Sequence, residues 1–209
     1  MEGIFAVNKP VGMTSHDVIY YLRRKTGIKR IGHAGTLDPL ASGVLVVAIG
    51  REFTKQLDQI VKSEKEYVTE IELGQTSTTD DMEGEKTIVD DLKPDLHEVK
   101  EQIQQFVGKI MQTPPAYSAI KVGGKVAYKQ ARKGEALKLE PREVEIKEIE
   151  LIDYKYPVVK LKITCGKGVY IRSIARDLGE KLKTGGYMKS LVRTRVGNFN
   201  LEKAQKLEE

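Results

Sequence analysis

Disulfides, membrane spans and export signals are all missing from this sequence. Cys165 is the one cysteine among 209 residues, so the chain cannot form an internal disulfide, which fits a reducing compartment. No apolar run approaches the ~18 residues of a membrane-spanning helix. The start, MEGIFAVNKP, lacks the cationic segment and long apolar core of a signal peptide. We therefore expect a cytoplasmic protein with no membrane partner.

Patterns for binding metals and nucleotide phosphates are missing as well. The histidines His16, His33 and His97 are far apart, and no group of cysteines or histidines has the spacing of metal ligands. The sequence contains neither a G-x-x-x-x-G-K-[ST] loop nor a G-x-G-x-x-G between a strand and a helix. We therefore expect no metal and no cofactor.

Charge is modest overall and unevenly distributed. The 35 basic and 30 acidic side chains give a formal net charge of +5. Residues 166–195 carry eight basic and two acidic side chains, whereas residues 64–101 are rich in acids. Such a basic region is typical of a face that binds a polyanion. A solvated surface rich in lysine and glutamate, suited to heat tolerance, explains the same charges equally well.

Hydrophobic periodicity predicts a mixture of helices and strands. A helix begins at Thr14 or Ser15, which can cap it, and ends at Gly27. The apolar run 44–49 is typical of a buried strand, and residues 67–73 alternate with period two, as in a strand with one wet face. The other predicted elements are helices over 53–61, 96–107, 125–133 and 171–182 and strands over 4–7, 144–152, 158–164 and 191–196.

These elements mix without strict βαβ repetition, so we predict an α+β fold. A chain of this length suits one domain or a closely joined pair of lobes, and we expect an inserted lobe at about residues 75–145. Within it, residues 75–85 are polar, acidic and rich in turn formers, and we expect this segment to be mobile.

The segment 30–43, RIGHAGTLDPLASG, is the candidate functional loop. It presents Asp38, His33 and Arg30 among glycines, directly before the predicted buried strand. Glycines adopt backbone angles that other residues resist, and Pro39 biases the residue before it away from helical angles. The loop can therefore present a side chain in one fixed pose. Seen alone, an Asp-Pro pair more often only caps a turn.

The loop and the apolar run after it, GHAGTLDPLASGVLVVAIG, resemble the signature of the bacterial tRNA pseudouridine-55 synthases, the TruB family. Further segments agree in order along nearly the whole chain: NKPVGMTSHDV, EKEYVTEIELGQTSTTDDMEGE, QTPPAYSAIKVGGKVAYKQARKGE, CGKGVYIRSIARDLGEKL and YMKSLVRTRVGNF. The resemblance implies the pseudouridine synthase fold, in which helices flank a mixed, mainly antiparallel central sheet crossed by an active-site cleft. Residues 1–209 would form the catalytic domain, without the small RNA-binding PUA domain of full-length members.

The resemblance also implies a function. Family members convert uridine to pseudouridine at position 55 in the T loop of tRNA, by flipping the base out and breaking and re-forming its glycosidic bond without a cofactor. The implied partner is the T stem-loop of tRNA. No protein partner is implied, and we expect a monomer. An isomerisation consumes nothing, which agrees with the missing cofactor signatures.

By resemblance, Asp38 is the carboxylate that acts on the ribose, as glycosidases hold one against the anomeric carbon. Addition to C1′ and removal of the C2′ proton both stay open. Arg172, in GVYIR, is its implied partner, because a guanidinium within ~4–6 Å keeps a carboxylate ionised and fixes its direction. Tyr67, in EYV, is implied to stack on the uracil, and a role in accepting the C5 proton stays open. Without the resemblance, these two residues could be a phosphate-facing arginine and a core aromatic.

Further residues are implied to bind the substrate. Tyr170 forms a floor for the base, Leu191 lines the base pocket, and His33 wedges into the RNA loop. The candidate phosphate contacts are Lys9, Arg30, Lys121, Lys125 and Lys129. On residue type alone, the first two would be core residues, the histidine an uninvolved exposed side chain, and the cations solvated charges.

Two other functions stay open. The basic carboxy-terminal half and the wedge residue His33 also fit a tRNA-binding or tRNA-folding factor that acts without catalysis. A nucleosidase or other glycosidase would need a second catalytic carboxylate, and no motif places one.

Overall fold

The computed structural model describes residues 2–89, 92–131, 133–135 and 137–207. The chain divides into two compact units. Unit 1 comprises Met1–Val68, Lys162–Lys167 and Ser190–Glu209, and unit 2 comprises Thr69–Leu161 and Gly168–Lys189. Within the described residues, no helix is long and apolar enough to cross a membrane.

Strands and helices occur in a mixed order along the chain. The strands are β1 Gly3–Lys9, β2 Ile31–Ala34, β3 Ser42–Ile49, β4 Lys65–Leu73, β5 Gln75–Ser77, β6 Lys86–Ile88, β7 Gly108–Gln112, β8 Lys121–Val122, β9 Lys125–Val126, β10 Arg142–Lys155, β11 Val158–Cys165, β12 Gly186–Val196, β13 Phe199–Asn200 and β14 Gln205–Lys206. The helices are α1 Ser15–Thr26, α2 Arg51–Thr54, α3 Leu57–Val61, α4 Leu96–Gln104, α5 Ala127–Ala131 and α6 Ile171–Lys181, with a 3₁₀ turn at Leu201–Lys203.

The buried strand β3 is the centre of unit 1. It pairs antiparallel with β1 and with β2 and parallel with β12, and β14 adds to β1 in parallel. Its side chains alternate between two apolar clusters. Val44, Val46 and Ala48 pack with α3, whereas Leu45 and Val47 pack with α1. Helices therefore cover both faces of this part of the sheet, which explains why the run is apolar without alternation.

Unit 2 contains residues of β4, β11, β10 and β7, which are neighbours in that order. β10 pairs antiparallel with β7, from Arg142 opposite Gln112 to Ile146 opposite Gly108. The helices α4 and α6 also belong to this unit, and the buried side chains of α4 are Val99 and Ile103. The predicted α+β fold with mixed, mostly antiparallel strand pairing and flanking helices is confirmed.

Most predicted elements form where the periodicity places them, but two predictions were wrong. The helix over 53–61 is two short helices, because the amide of Gln56 bonds to the carbonyl of Phe53, three residues back, and the α-helical ladder stops there. The basic helix over 125–133 begins only at Ala127. Gly123 and Gly124 adopt φ values of 57° and 79° and form the turn of the hairpin β8–β9. Residue 132, within that predicted helix, lies outside the described residues.

Candidate active site

Asp38 lies on the loop 35–41 between β2 and β3, hereafter the Asp38 loop, and it is half-buried. Ser15, at the start of α1, fixes the residue before it: its hydroxyl accepts from the amide of Leu37 at 2.8 Å and donates to the carbonyl of Leu37 at 3.1 Å. Thr14 caps α1 in a capping box, which sets the position of this first turn. The helix start therefore holds the loop backbone directly before Asp38.

Lys9, at the end of β1, fixes the residue after Asp38. Its side chain is fully buried, and its ammonium donates to the carbonyl of Met13 at 2.6 Å, to that of Pro10 at 2.8 Å and, more weakly, to that of Pro39 at 3.5 Å. The amide of Gly12 donates to the same Pro39 carbonyl at 2.8 Å. A phosphate contact by Lys9 would require these bonds to break, because the ammonium has no exposed surface.

Burial lowers the pKa of Lys9 from 10.5 to about 8. The charge of Asp38 opposes this shift and raises the pKa, whereas the nearby charge of Arg193 lowers it further. Lys9 is therefore a protonated but readily titrated donor beside the Asp38 loop at neutral pH.

Arg193, on β12, was missed as a site residue because the sequence analysis counted it only within the basic region. It is 1% exposed, and its guanidinium donates from Nε to the carbonyl of Val44 at 2.7 Å and from Nη2 to that of Gly35 at 3.1 Å. The signal available in the sequence was its spacing, since Arg193 lies two residues after Leu191 in a strand with apolar neighbours. A cation at such an inward position is rarely a solvated charge.

Tyr67 lies buried on β4. Burial raises the pKa of its phenol, and the positive charge and hydrogen bond of Arg193 oppose that rise. The charge of Asp38 also reaches Tyr67 and raises its pKa. Lys9 and Tyr67 thus both lie within electrostatic reach of Asp38 and Arg193, and Tyr67 is a neutral phenol at neutral pH.

Three other predicted residues of unit 1 have different degrees of exposure. His33 is half-buried on β2, and burial, followed by the charge of Arg193, lowers its pKa, so its ring is neutral at neutral pH. Leu191 is 8% exposed on β12, and Arg30 is exposed at the start of the segment that contains the Asp38 loop. The wedge, pocket and phosphate roles of these residues stay predictions.

Arg172 lies in unit 2, at the start of α6, and it is 6% exposed. Its guanidinium donates to the carbonyl of Tyr117 at 3.0 Å and to that of Thr79 at 3.4 Å, and Nη1 lies 3.4 Å from Oδ2 of Asp81. This burial argues against the alternative of a phosphate-facing surface arginine. Its predicted pairing with Asp38 stays a prediction.

Asp81, which the sequence analysis also missed, is fixed by its own turn. Its Oδ1 accepts from the hydroxyl of Thr79 and from the amide of Glu83, and its carbonyl accepts from the hydroxyl of Ser77 at 2.6 Å. The segment 75–85, expected to be mobile, is therefore closed by side-chain hydrogen bonds typical of short polar residues in turns. It presents a buried carboxylate to Arg172.

The residues before α6 are fixed by the end of β7. The side chain of Gln112 donates to the carbonyl of Tyr170 at 3.1 Å and accepts from the amide of Tyr170 at 2.8 Å. Ser173 and Arg176 both donate to the carbonyl of Thr113, at 2.8 and 2.9 Å. These bonds fix the backbone on both sides of Arg172. Tyr170, the predicted floor for the base, is half-buried at the N-cap position of α6.

A second ion-pair group surrounds Arg176. Its guanidinium lies 3.1 Å from Oδ2 of Asp80 and 2.8 Å from Oδ1 of Asp177. Burial raises the pKa of both carboxyls, and the charge of Arg176 opposes the rise in each. Asp80 adopts φ 60°, a conformation that aspartate tolerates better than most residues. This group anchors the turn that carries Asp81.

Exposed lysines of unit 2 lie on a small hairpin and the helix after it. Lys121, Lys125 and Lys129 are all exposed, as a contact with phosphate requires. Within the part of the chain that the structure describes, no group of three or more His, Cys, Asp or Glu side chains could hold a metal ion.

The family of the chain follows from two domain models. The model described as TruB family pseudouridylate synthase (N terminal domain) matches residues 23–171, and that described as tRNA pseudouridylate synthase B C-terminal domain matches residues 172–209. Together with the α+β fold, these matches define a pseudouridine synthase, an isomerase that modifies RNA. The chain belongs to the TruB family, as the loop signature predicted.

Relatives with the same description cover nearly the whole chain. The tRNA pseudouridine synthase B of Protochlamydia amoebophila is 46% identical over 202 residues, which are 97% of this chain and 77% of that protein. That of Bacteroides fragilis is 44% identical over 205 residues, 93% of this chain and 86% of that protein. The prediction of an enzyme of the tRNA pseudouridine synthase class is confirmed.

A solved structure supports the fold. The crystal structure of a Cbf5-Nop10-Gar1 complex contains a chain that matches with a TM-score of 0.77 and 28% identity. The match covers 98% of this chain and 52% of the other, so this chain spans about half the length of that structure's chain.

Proposed function

We propose that this tRNA pseudouridine synthase acts on the uridine at position 55 in the T loop and that Asp38 is its catalytic carboxylate. The observation that carries the proposal is the Asp38 loop, whose backbone is bonded on one side to Ser15 and on the other to Lys9, with Asp38 half-buried between them. A group that must act on one carbon of a flipped nucleotide needs such fixed placement. We further propose that the enzyme acts as a monomer on the T stem-loop.

The reaction is an isomerisation of the nucleotide. The bond between uracil N1 and ribose C1′ breaks, the base turns, C5 bonds to C1′, and the proton lost from C5 is balanced by one gained at N1. Asp38 can contribute by adding to C1′ or by removing the proton at C2′. The two roles differ in one measurement, because only the second predicts a primary isotope effect when C2′ carries deuterium.

Tyr67 is proposed to stack on the uracil rather than to act as the base. Its raised pKa supports this choice, because a general base works best with a pKa near the working pH. A neutral phenol ring buried beside the Asp38 loop offers an apolar face to a planar base. The variant Tyr67→Phe should therefore retain most activity, whereas Tyr67→Leu should lose it.

Arg172 is proposed to pair with Asp38 and to keep it ionised, as the family motif implies. Within unit 2, the guanidinium of Arg172 is fixed by Asp81 and by two backbone carbonyls, and this fixed position supports the proposal. Tyr170 is proposed as the floor for the base and Leu191 as part of its pocket. His33 is proposed as the wedge that replaces the flipped base, a role that its neutral ring suits.

The position of the product tests the proposal. We expect wild-type enzyme to place pseudouridine at position 55 of a tRNA transcript, as mapped by chemical modification and primer extension, and to leave a transcript with cytidine at that position unchanged. The variant Asp38→Asn should bind the transcript normally and form no product. Product at another position, or full activity of Asp38→Asn, would contradict the proposal.

A second function, folding of tRNA, is favoured by the exposed cations Lys121, Lys125 and Lys129 of unit 2. They can contact phosphates without any part in the chemistry. If this function is independent, Asp38→Asn will still accelerate refolding of a misfolded tRNA as fast as wild type. A variant with all three lysines changed to glutamine should lose that effect and bind tRNA with a weaker dependence on salt.

A further inference from the structure

Arg193 carries a buried positive charge for which the proposed chemistry has no use. Arg193 is 1% exposed, so its guanidinium lies in the interior of unit 1. Its guanidinium donates to the backbone carbonyls of Gly35 and Val44. An arginine is rarely fully buried, so the bonds that this one makes in the interior indicate what it holds in place.

The two carbonyls lie at the two ends of the same segment. Gly35 begins the Asp38 loop, and Val44 follows it on β3, so one rigid side chain spans the whole loop. The backbone of Arg193 is tied to the same place, since it lies opposite Gly43 in the parallel pairing of β12 with β3. A Cβ on Gly43 would lie 2.2 Å from the carbonyl oxygen of Arg193, so no larger residue fits there.

The same guanidinium also acts on Tyr67. Its positive charge and a hydrogen bond to the phenol both favour the ionised form of Tyr67, against the effect of burial. Arg193 therefore bonds to the hydroxyl of the tyrosine proposed to stack on the uracil and to both ends of the loop that carries the proposed catalytic carboxylate. No other side chain described in unit 1 is bonded to all three.

We propose that Arg193 is a positioning residue for the reaction: its guanidinium fixes the two ends of the Asp38 loop and the hydroxyl of Tyr67 in one arrangement. This inference rests on the roles proposed above for Asp38 and Tyr67. Arg193 touches neither substrate nor reacting atoms, so it governs the chemical step and not the binding of tRNA.

A lysine cannot replace this side chain. A guanidinium is a planar fork whose nitrogens point in fixed, different directions, whereas an ammonium is a point charge on a flexible stem. Arg193→Lys therefore keeps the buried charge and loses at least one of the bonds. Arg195→Lys is the matched control, because Arg195 lies on the same strand, is about a third exposed, and pairs with Glu64 at 2.6 Å.

Single-turnover kinetics with saturating enzyme test the proposal. We expect the rate of the chemical step to fall at least about tenfold in Arg193→Lys, which corresponds to about 1.4 kcal/mol of barrier. The tRNA dissociation constant should stay within about twofold of wild type, and Arg195→Lys should match wild type in both. A rate equal to that of Arg195→Lys, or a defect confined to tRNA affinity, would overturn the proposal.

The rate change should also depend on Tyr67. In the background Tyr67→Phe, which lacks the hydroxyl, Arg193→Lys should reduce the rate by a smaller factor than in wild type, because one of its three contacts is already gone. Equal factors in both backgrounds would remove Tyr67 from the proposal. The variant Asp38→Asn is measured in parallel. Activity in that variant would contradict the proposed function itself. If Asp38→Asn is inactive and Arg193→Lys reacts at the wild-type rate, only the positioning role of Arg193 is overturned.

Nuclear magnetic resonance on the wild-type protein tests the proposed contacts of Arg193 even if the Arg193 variants do not fold. The Nε proton of Arg193 should exchange slowly with solvent, because it is buried and donates to the carbonyl of Val44. The pKa of Tyr67, followed by its ¹³Cζ signal, should lie above the ordinary tyrosine value. Rapid exchange of the Nε proton would contradict the geometry on which the proposal depends.

Discussion

The two units differ in the acceptors that hold their buried arginines and lysines. In unit 1, Lys9 and Arg193 donate to backbone carbonyls on either side of Asp38. In unit 2, Arg172 and Arg176 lie against carboxylates of a single turn and of α6. A cation held by carbonyls fixes the path of a backbone, whereas one held by carboxylates is itself fixed and partly neutralised.

This contrast suits different tasks. In the proposed function the Asp38 loop places a carboxylate, and the bonds from Lys9 and Arg193 to its carbonyls fix the backbone that carries it. The turn at Asp81 must aim a guanidinium, which requires an acceptor rather than another cation. Variants that remove one holding group from each unit should therefore have different consequences for stability and for rate.

The largest effect on stability is expected for Asp81→Ala in unit 2. It removes a buried carboxylate and leaves the guanidinium of Arg172 without it, so the free energy of unfolding should fall by about 3–5 kcal/mol. Urea denaturation measures this loss. Glu83→Ala, an exposed side chain of the same turn, is the control and should change stability by less than about 0.5 kcal/mol. Equal stability of the two variants would show that the buried pair contributes nothing.

A smaller loss of stability with a loss of rate is expected for Ser15→Ala in unit 1. It removes both bonds to Leu37, which should lower the free energy of unfolding by about 1–3 kcal/mol and slow the chemical step. Thr14→Ala removes the adjacent helix cap, at a cost of about 0.5–2 kcal/mol, without touching the Asp38 loop. If both variants slow the reaction equally, the rate reflects general stability and not the position of the loop.

The charge of Lys9 gives a dependence of stability on pH. Its pKa is about 8 in the folded protein and near 10.5 when exposed, so the unfolded chain binds more protons between these values. Folding stability due to Lys9 should therefore rise as the pH rises from 8 to 10.5, by about 2–3 kcal/mol. The difference in unfolding free energy between wild type and Lys9→Met, taken at pH 7 and pH 10, isolates this change. No change in that difference would mean that Lys9 titrates alike in both states.

The smallest effect is expected for an exposed ion pair. Lys55 and Glu52 are 3.0 Å apart, but both side chains are largely exposed. Glu52→Gln should change the free energy of unfolding by less than about 0.5 kcal/mol and leave the reaction rate unchanged. A loss comparable with that of Asp81→Ala would show that proximity, and not burial, sets the contribution of these pairs.

The sequence predicted what depends on neighbours along the chain. The cap at Thr14, the buried run at 44–49 and the alternation at 67–73 all appear in the structure. The role of Arg193 could not be predicted in this way, because its contact with Gly35 joins residues 158 positions apart. The basic helix was placed too early because a glycine pair was not read as a hairpin turn.

The candidate site was predicted from a motif rather than from physical pattern. Asp38 and Arg172 were named because the loop and GVYIR resemble the family. Nothing in the periodicity of 75–85 indicated that Asp81 would be buried, since short polar residues in a turn look solvated until their side chains bond to the backbone. Burial of Lys9 was likewise not predicted, because a lysine at the end of a strand, directly before a proline, is usually exposed.

Release of tritium from C5-labelled uridine in tRNA tests the central claim most directly, because it reports the exchange of C5 hydrogen that bond formation requires. The release is measured in a single turnover with wild type and with Asp38→Asn. Aspartate and asparagine side chains have nearly equal volumes, so the comparison separates the chemical step from tRNA binding. We expect complete release by wild type and none by Asp38→Asn, with unchanged affinity for the tRNA. Release by Asp38→Asn at the wild-type rate would remove this aspartate from the reaction.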